Sequence, residues 1–307
     1  MVDSDISSTP RPILQDHSQK QFSDYSGTGG YFEAAQTWID ETFCGHIVEK
    51  LVANIGDRTD DKPLRVLGVG SGSGEIELMF LNKLLIKFPK IHTCVVEPCA
   101  ISLVKYQAKI KEHAPDITFD WQNHKFDDFV ENQQENSHKY HFISACNSLY
   151  FAQNLNEALQ SLHDMLVPGG ILLVTITAEY AGFGKLWRAF PYLRPVTSSQ
   201  DGSSGTTSPP RHHRNSAHVH DALRQLQLPY LIDAYVCLYK ITHCFDEEES
   251  EERNQAIDFV TYPIKLRDQP KDLFQQVLAC IKDCSVQRGN DWFFQAEHVC
   301  FFITKPT

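Results

Sequence analysis

The segment Val69-Gly70-Ser71-Gly72-Ser73-Gly74-Glu75 constrains this chain more than any other feature. Three glycines at alternate positions separate a short apolar run, Arg65-Val66-Leu67-Gly68-Val69-Gly70, from a stretch in which Ile76, Met79, Phe80, Leu84 and Phe88 recur at helical intervals. That pattern reads as strand, glycine turn, helix. Glycine allows left-handed turns and a close backbone approach to a ligand, because no Cβ intervenes. A second apolar run, 93–96, ends on Glu97-Pro98. A carboxylate at that strand tip can accept hydrogens from both hydroxyls of a ribose. The turn alone is a weak signal, but turn and acid together describe a nucleoside-binding site.

Strand and helix patterns alternate beyond it. Helices are expected over 34–55, 100–113, 155–166 and 271–284, and strands over 117–121, 140–145, 171–177, 230–241 and 296–304. The Pro168-Gly169-Gly170 turn should open the fifth strand, and 246–252 should start an acidic helix. Such alternation predicts an α/β fold, Rossmann-like, with a mostly parallel sheet of seven strands and helices on both faces. Four regions are expected: an N-terminal segment over 1–33 that closes over the site with its aromatics Tyr31 and Phe32, a nucleoside-binding domain over 34–190, a Ser/Gly/Pro-rich flexible insertion over 191–215, and a C-terminal substrate-binding region over 216–307 that completes the sheet.

A net charge of -11 repels phosphate backbones and anionic lipid, so neither nucleic acid nor membrane is the expected partner. No apolar run reaches the ~18 residues that span a bilayer, and a cytoplasmic monomer is expected. Nine cysteines without a CxxC pair read as reduced thiols. Cys280 and Cys284 fit a packed helix face. His212, His213, His218 and His220 lack a cysteine partner and sit at a loop, so no metal is expected.

Glu75 stands directly at the helix start, where its charge would repel the pyrophosphate of a dinucleotide. The pattern favours S-adenosylmethionine, whose centre is a sulfonium cation. VLGVGSGSGEIEL, VVEP, FISACNSLYF and GKLWRAF, in that order, resemble successive segments of the histamine N-methyltransferase family. The resemblance implies a class I S-adenosylmethionine-dependent methyltransferase with an added substrate-binding part.

It also implies residue roles. Gly70, with Ser71, Gly72 and Gly74 around it, and Glu97 match the cofactor site, Ser102 takes the place of an adenosine-contacting glutamine, and Cys146 takes the place of a family isoleucine at the end of the fourth strand. Asn147 takes the place of a family glutamine after the fourth strand. Tyr150, Phe183, Trp187 and Phe259 match an aromatic substrate cage, suited to a flat cationic or heterocyclic amine. The family's substrate glutamate falls on Gln36 and its late asparagine on Ala296 or Glu297, so Glu297 is expected to face the amine from a different wall. No side-chain nucleophile is required, because alignment and exclusion of water carry such a transfer. The alternatives are another small acceptor, a relative that binds without turnover, or a protein methyltransferase, which needs an open groove. Each cage aromatic could equally be core, and Gln36 could be a solvated helix residue.

Overall fold

The computed structural model describes residues 30–56, 62–113, 117–132, 139–191, 214–261 and 266–307. The expected insertion therefore lies almost wholly outside the described residues, as do Phe22 and Tyr25 of the N-terminal segment and His212 and His213. One sheet organises the molecule, in the order β3-β2-β1-β4-β5-β8-β6. Strands β1 (Leu64–Val69), β2 (Ile91–Val96), β3 (Ile117–Gln122), β4 (Tyr140–Cys146) and β5 (Leu166–Thr177) run parallel. β8 (Asp291–Thr304) inserts antiparallel between β5 and β6 (Tyr230–Lys240). A short eighth strand, β7 (Ser285–Arg288), pairs with the first residues of β8 as a hairpin. It escaped the sequence reading because it is only four residues long and half exposed.

The helices are α1 (Tyr31–Trp38), α2 (Glu49–Ile55), α3 (Glu75–Leu85), α4 (Ala100–His113), α5 (Phe126–Glu131), α6 (Leu155–Asp164), α7 (Gly182–Ala189), α8 (Ser216–Gln225), α9 (Glu251–Thr261) and α10 (Lys271–Asp283). A π-helical stretch, Ile39–Val48, joins α1 to α2, so the expected single helix is continuous but wound more widely at its centre. Ile39, Phe43, Ile47 and Leu51 recur every four residues along its buried side. The Pro168-Gly169-Gly170 segment is not a turn before β5 but an irregular stretch inside it, with Gly169 at φ +78° and a register shift against β4.

Strand alternation splits the core in two. Val66, Phe142, Leu173, Cys300 and Phe302 face the N-terminal helices, α3, α9 and α10, where Phe43 stacks on Phe80 at 4.7 Å. Leu67, Ile143, Val174, Val299 and Phe301 face α6 and α8. Burying a side chain of this size contributes about 1.5–3 kcal/mol, so no staple is needed. Caps set where the second layer begins: Asn154 accepts from the N–H of Asn156 and Glu157 at the start of α6, and Asn215 and His218 form a capping box on α8. Each such cap stabilises by about 1 kcal/mol. His218 is thus a capping residue, and among the described residues no group of three metal-ligating side chains exists.

Candidate active site

The glycine turn lies at the carboxyl edge of β1, next to the tips of β2 and β4, where open α/β sheets bind ligands. Gly70, Gly72 and Gly74 all have positive φ, at 66°, 58° and 84°. Their surroundings differ. A Cβ on Gly70 would sit 2.4 Å from the Ser148 Cβ, and one on Gly74 would enter the Tyr106 ring at 2.1 Å, whereas one on Gly72 would meet nothing within 4 Å. Gly74 is therefore required by the packing of α4, Gly70 by the approach of the loop after β4, and Gly72 faces open space.

Glu97 is 1% exposed. Its Oε2 accepts the Gly72 N–H and its Oε1 the Cys99 N–H, each at 2.9 Å, so the carboxylate ties the turn to the tip of β2. A carboxylate offers about four lone-pair positions, which leaves capacity for ribose hydroxyls on the same oxygens. The Ser71 hydroxyl faces the buried Glu77 carboxyl, and among the described residues the Ser148 hydroxyl, buried beside the turn, has no hydrogen-bond partner. Buried polar atoms are seldom left so without a ligand or water to satisfy them. An open cradle at Gly72, a fixed carboxylate and an orphaned hydroxyl fit a bound nucleoside. Ser102 is buried on the first turn of α4. Glu75 does not act as a bare repulsive charge: burial alone would raise its pKa, but Lys109 and the Ser73 hydroxyl pair with it and hold it below the ordinary value.

Beyond the turn, β4 ends on Cys146, and Asn147 takes φ +50°, a left-handed backbone rare outside glycine. Such strain persists where the surroundings fix it, and here they do. Asn147 Nδ2 donates to the Tyr31 hydroxyl at 2.9 Å, its Oδ1 lies 3.2 Å from both the Tyr150 hydroxyl and His298 Nδ1, and its N–H donates to the Thr175 carbonyl at 2.9 Å. The Tyr150 hydroxyl donates to Thr177 Oγ1 at 2.8 Å and accepts the Thr177 N–H at 2.9 Å. One amide thus joins α1, β4, the loop after it, β5 and β8.

His298 is 4% exposed, stacks on Tyr235 at 5.3 Å and meets the Tyr31 ring edge-on at 5.5 Å. Burial lowers its pKa to about 4, and its Nε2 has no partner. Burial likewise pushes the Cys146 thiol and the Tyr150 phenol up to about 12, so neither ionises at neutral pH.

The aromatic residues group as expected in part. Phe183 contacts Trp187 at 5.8 Å, Phe259 at 6.0 Å and Phe294 at 4.9 Å. Tyr239 touches Phe183 and Phe259 and lies within electrostatic range of the Tyr31 and Tyr150 hydroxyls, linking the rings to the amide cluster. Phe183 and Trp187 are half-buried, whereas Phe259 is packed into the core.

Two expected polar contacts are not brought here. Gln36 Nε2 donates to Asp40, which pairs with Lys83, on the outer side of the N-terminal helix. Glu297 alternates with His298 along β8, so it shares a sheet face with Val299 and Phe301, and it bonds the exposed Tyr180 instead. A one-residue difference in strand position selects the face. The residues in their stead are Tyr31 and His298. Arg214 was also missed: its guanidinium is buried and donates to the Leu149, Ala152 and Gln153 carbonyls at 3.0, 2.5 and 3.2 Å, clamping the loop that carries Tyr150. Nothing local marks it, since it ends a Ser- and Pro-rich stretch. The alternation of β8 was readable, and following it would have found His298.

Comparisons with known proteins give the family. A methyltransferase-domain family model matches residues 38–203. The chain is 26% identical to histamine N-methyltransferase of Xenopus tropicalis over 303 residues, covering 92% of this chain and 94% of that protein. It is 28% identical to histamine N-methyltransferase of Danio rerio, covering 80% and 82%, and 25% identical to carnosine N-methyltransferase 2 of Gallus gallus, covering 75% and 72%. Its fold is similar to that of loganic acid methyltransferase, solved with SAH, with a TM-score of 0.53 at 11% identity over 97% of this chain and 99% of that one. The family match spans more than half of the sequence, and the chain belongs to the methyltransferase-domain family, as a class I methyltransferase that uses S-adenosylmethionine.

Proposed function

We propose that this protein transfers a methyl group from S-adenosylmethionine to a nitrogen of a small imidazole or amine. The observation that carries the reading is the Asn147 cluster, a partly buried set of neutral hydrogen-bonding groups at the tip of β4, beside the cofactor turn. Asn147, Tyr31, Tyr150 and His298 are all uncharged at neutral pH, and neither Gln36 nor Glu297 brings a carboxylate to them. Such a cluster suits a neutral ring nitrogen better than an ammonium, which would lack a counter-charge when desolvated. The named relatives, which act on histamine and carnosine by their titles, support an imidazole acceptor.

S-adenosylmethionine supplies an electrophilic methyl on sulfur. Glu97 would hold the ribose and the turn backbone would fix the nucleoside at the β1 edge. Asn147 would orient the acceptor, and the rings of Phe183 and Trp187 would flank it and keep water out. Positioning of this kind accounts for about 7 kcal/mol or more of barrier lowering. With Asn147 Oδ1 turned to Nδ1, the His298 hydrogen is on Nδ1 and the Nε2 lone pair is left to accept an N–H. His298 would not act as a base for an amine: its pKa of about 4 lies far below that of an alkylammonium, near 10, so the released proton goes to solvent.

Incubation with methyl-labelled S-adenosylmethionine and a panel of imidazoles, primary amines and peptides tests the reading. Label on a nitrogen of a small acceptor supports it. Label on peptides alone, or cofactor binding with no product across the panel, refutes it.

A further inference from the structure

The mechanism above leaves one buried acid unused. Glu77 stands on the first turn of α3, is 4% exposed, and lies directly under the strand that ends in the cofactor turn. Gly68 is bare because of it: a Cβ there would sit 2.0 Å from Glu77 Oε2. The Thr93 hydroxyl donates to Oε1 at 3.1 Å. From the turn the Ser71 hydroxyl and from α4 the Tyr106 hydroxyl face the carboxyl and act on it in the same direction as the Thr93 hydroxyl, and none of the three carries a charge. The other titratable groups within its reach are the Cys94 thiol on β2 and the Cys146 thiol at the tip of β4, both neutral. The nearby cation, Lys109, is committed to Glu75.

Among the described residues Glu77 is therefore a carboxyl group with no counter-ion, and burial raises its pKa to about 7, with the surrounding hydroxyls acting in the opposite direction. A buried anion is costly until a cation arrives. Its field reaches Cys146 at the tip of β4, between the glycine turn and the Asn147 cluster, and adds to the burial that raises that thiol's pKa. S-adenosylmethionine carries a positive sulfur and its demethylated product an uncharged thioether.

We propose that Glu77 is the counter-charge of the sulfonium, a specificity determinant beneath the glycine turn that makes the site prefer charged cofactor over spent product. The proposal rests on the cofactor assignment and is independent of the acceptor's identity. Ionisation of Glu77 is then coupled to which of the two nucleosides binds. About half of the free protein carries the Glu77 proton at pH 7, so the sulfonium expels it and the thioether does not.

Isothermal calorimetry of both nucleosides at pH 7, in buffers of different ionisation heat, tests this on the full chain. The wild type is expected to release more protons with S-adenosylmethionine than with S-adenosylhomocysteine, a comparison that cancels the amino group common to both. Glu77→Gln should abolish that difference and shrink the preference for the charged nucleoside about tenfold, with affinity for the thioether within about twofold of wild type. Equal proton release by the two ligands in the wild type overturns the proposal, and so does an unchanged preference in the variant. The wild-type arm decides even if the variant does not fold. Failure of both nucleosides to bind the wild type would instead overturn the cofactor assignment and Glu77's role with it.

Discussion

Glu77 and His298 are expected to shape the pH dependence of stability in opposite directions. Glu77 has an ordinary pKa of 4.5 and a folded value of about 7. Between these the folded state holds one proton more than the unfolded chain, so its contribution is fully present below 4.5 and is lost as pH rises through 7. His298 goes from 6.5 to about 4, so between those values the unfolded chain holds the extra proton, and its contribution is lost as pH falls through 4. At 1.36 kcal/mol per pKa unit, each shift is worth about 3 kcal/mol, and because both groups are buried no discount for solvent screening applies. From pH 4.5 to 6.5 the two slopes cancel. Removing one titration exposes the other: relative to wild type, His298→Gln should lose about 1.4 kcal/mol of stability per pH unit as pH rises, and Glu77→Gln should gain the same. Urea unfolding at half-unit steps from pH 4.5 to 6.5 reads this directly, because every other titrating group drops out of the difference. Variant curves that run parallel to the wild type would refute the reasoning.

Three further outcomes follow from particular contacts. Gly74→Ala drives a methyl into the Tyr106 ring at a left-handed position and should cost more than about 2 kcal/mol in urea unfolding, whereas Gly72→Ala, with open space around it, should cost no more than about 1 kcal/mol of strain and act chiefly on cofactor affinity by calorimetry. Arg214→Ala leaves three buried carbonyl acceptors unpaired, at about 1–3 kcal/mol, and should make the loop around Tyr150 the first site of limited proteolysis; unchanged cleavage would contradict the clamp. Asn147→Ala removes the amide proposed to orient the acceptor and should lower kcat/KM by roughly a hundredfold with cofactor affinity unchanged, measured by product formation and calorimetry respectively.

The parallel half of the fold was legible because each element announces itself locally. Apolar runs at 66–69 and 171–177, helical periodicity after Glu75 and a carboxylate at a strand tip are short-range signals. The same holds for the turn, although the reason for each glycine was not: Gly74 answers to Tyr106 on the next helix but one, and Gly68 to Glu77, contacts that exist only once the sheet is assembled. The acceptor side was less legible. As proposed, it would be built from Tyr31, Asn147, Tyr150 and His298, separated by more than a hundred residues at each end and joined through one amide. Placing Glu297 rather than His298 at the site was a matter of one residue in β8, and in a strand one residue reverses the face. Gln36 fell to the outer side because Tyr31, Ala35 and Trp38 take the buried side of α1, with Trp38 Nε1 donating to Asp233 at 2.9 Å on β6.

A crystal structure of the protein soaked with S-adenosylmethionine would probe the whole arrangement in one experiment. The nucleoside should lie against Gly72 with its ribose hydroxyls on Glu97, and its methyl carbon should point toward the Asn147 amide and the His298 imidazole. Density elsewhere on the surface, or a nucleoside seated in the turn with its methyl directed away from Asn147, would contradict it.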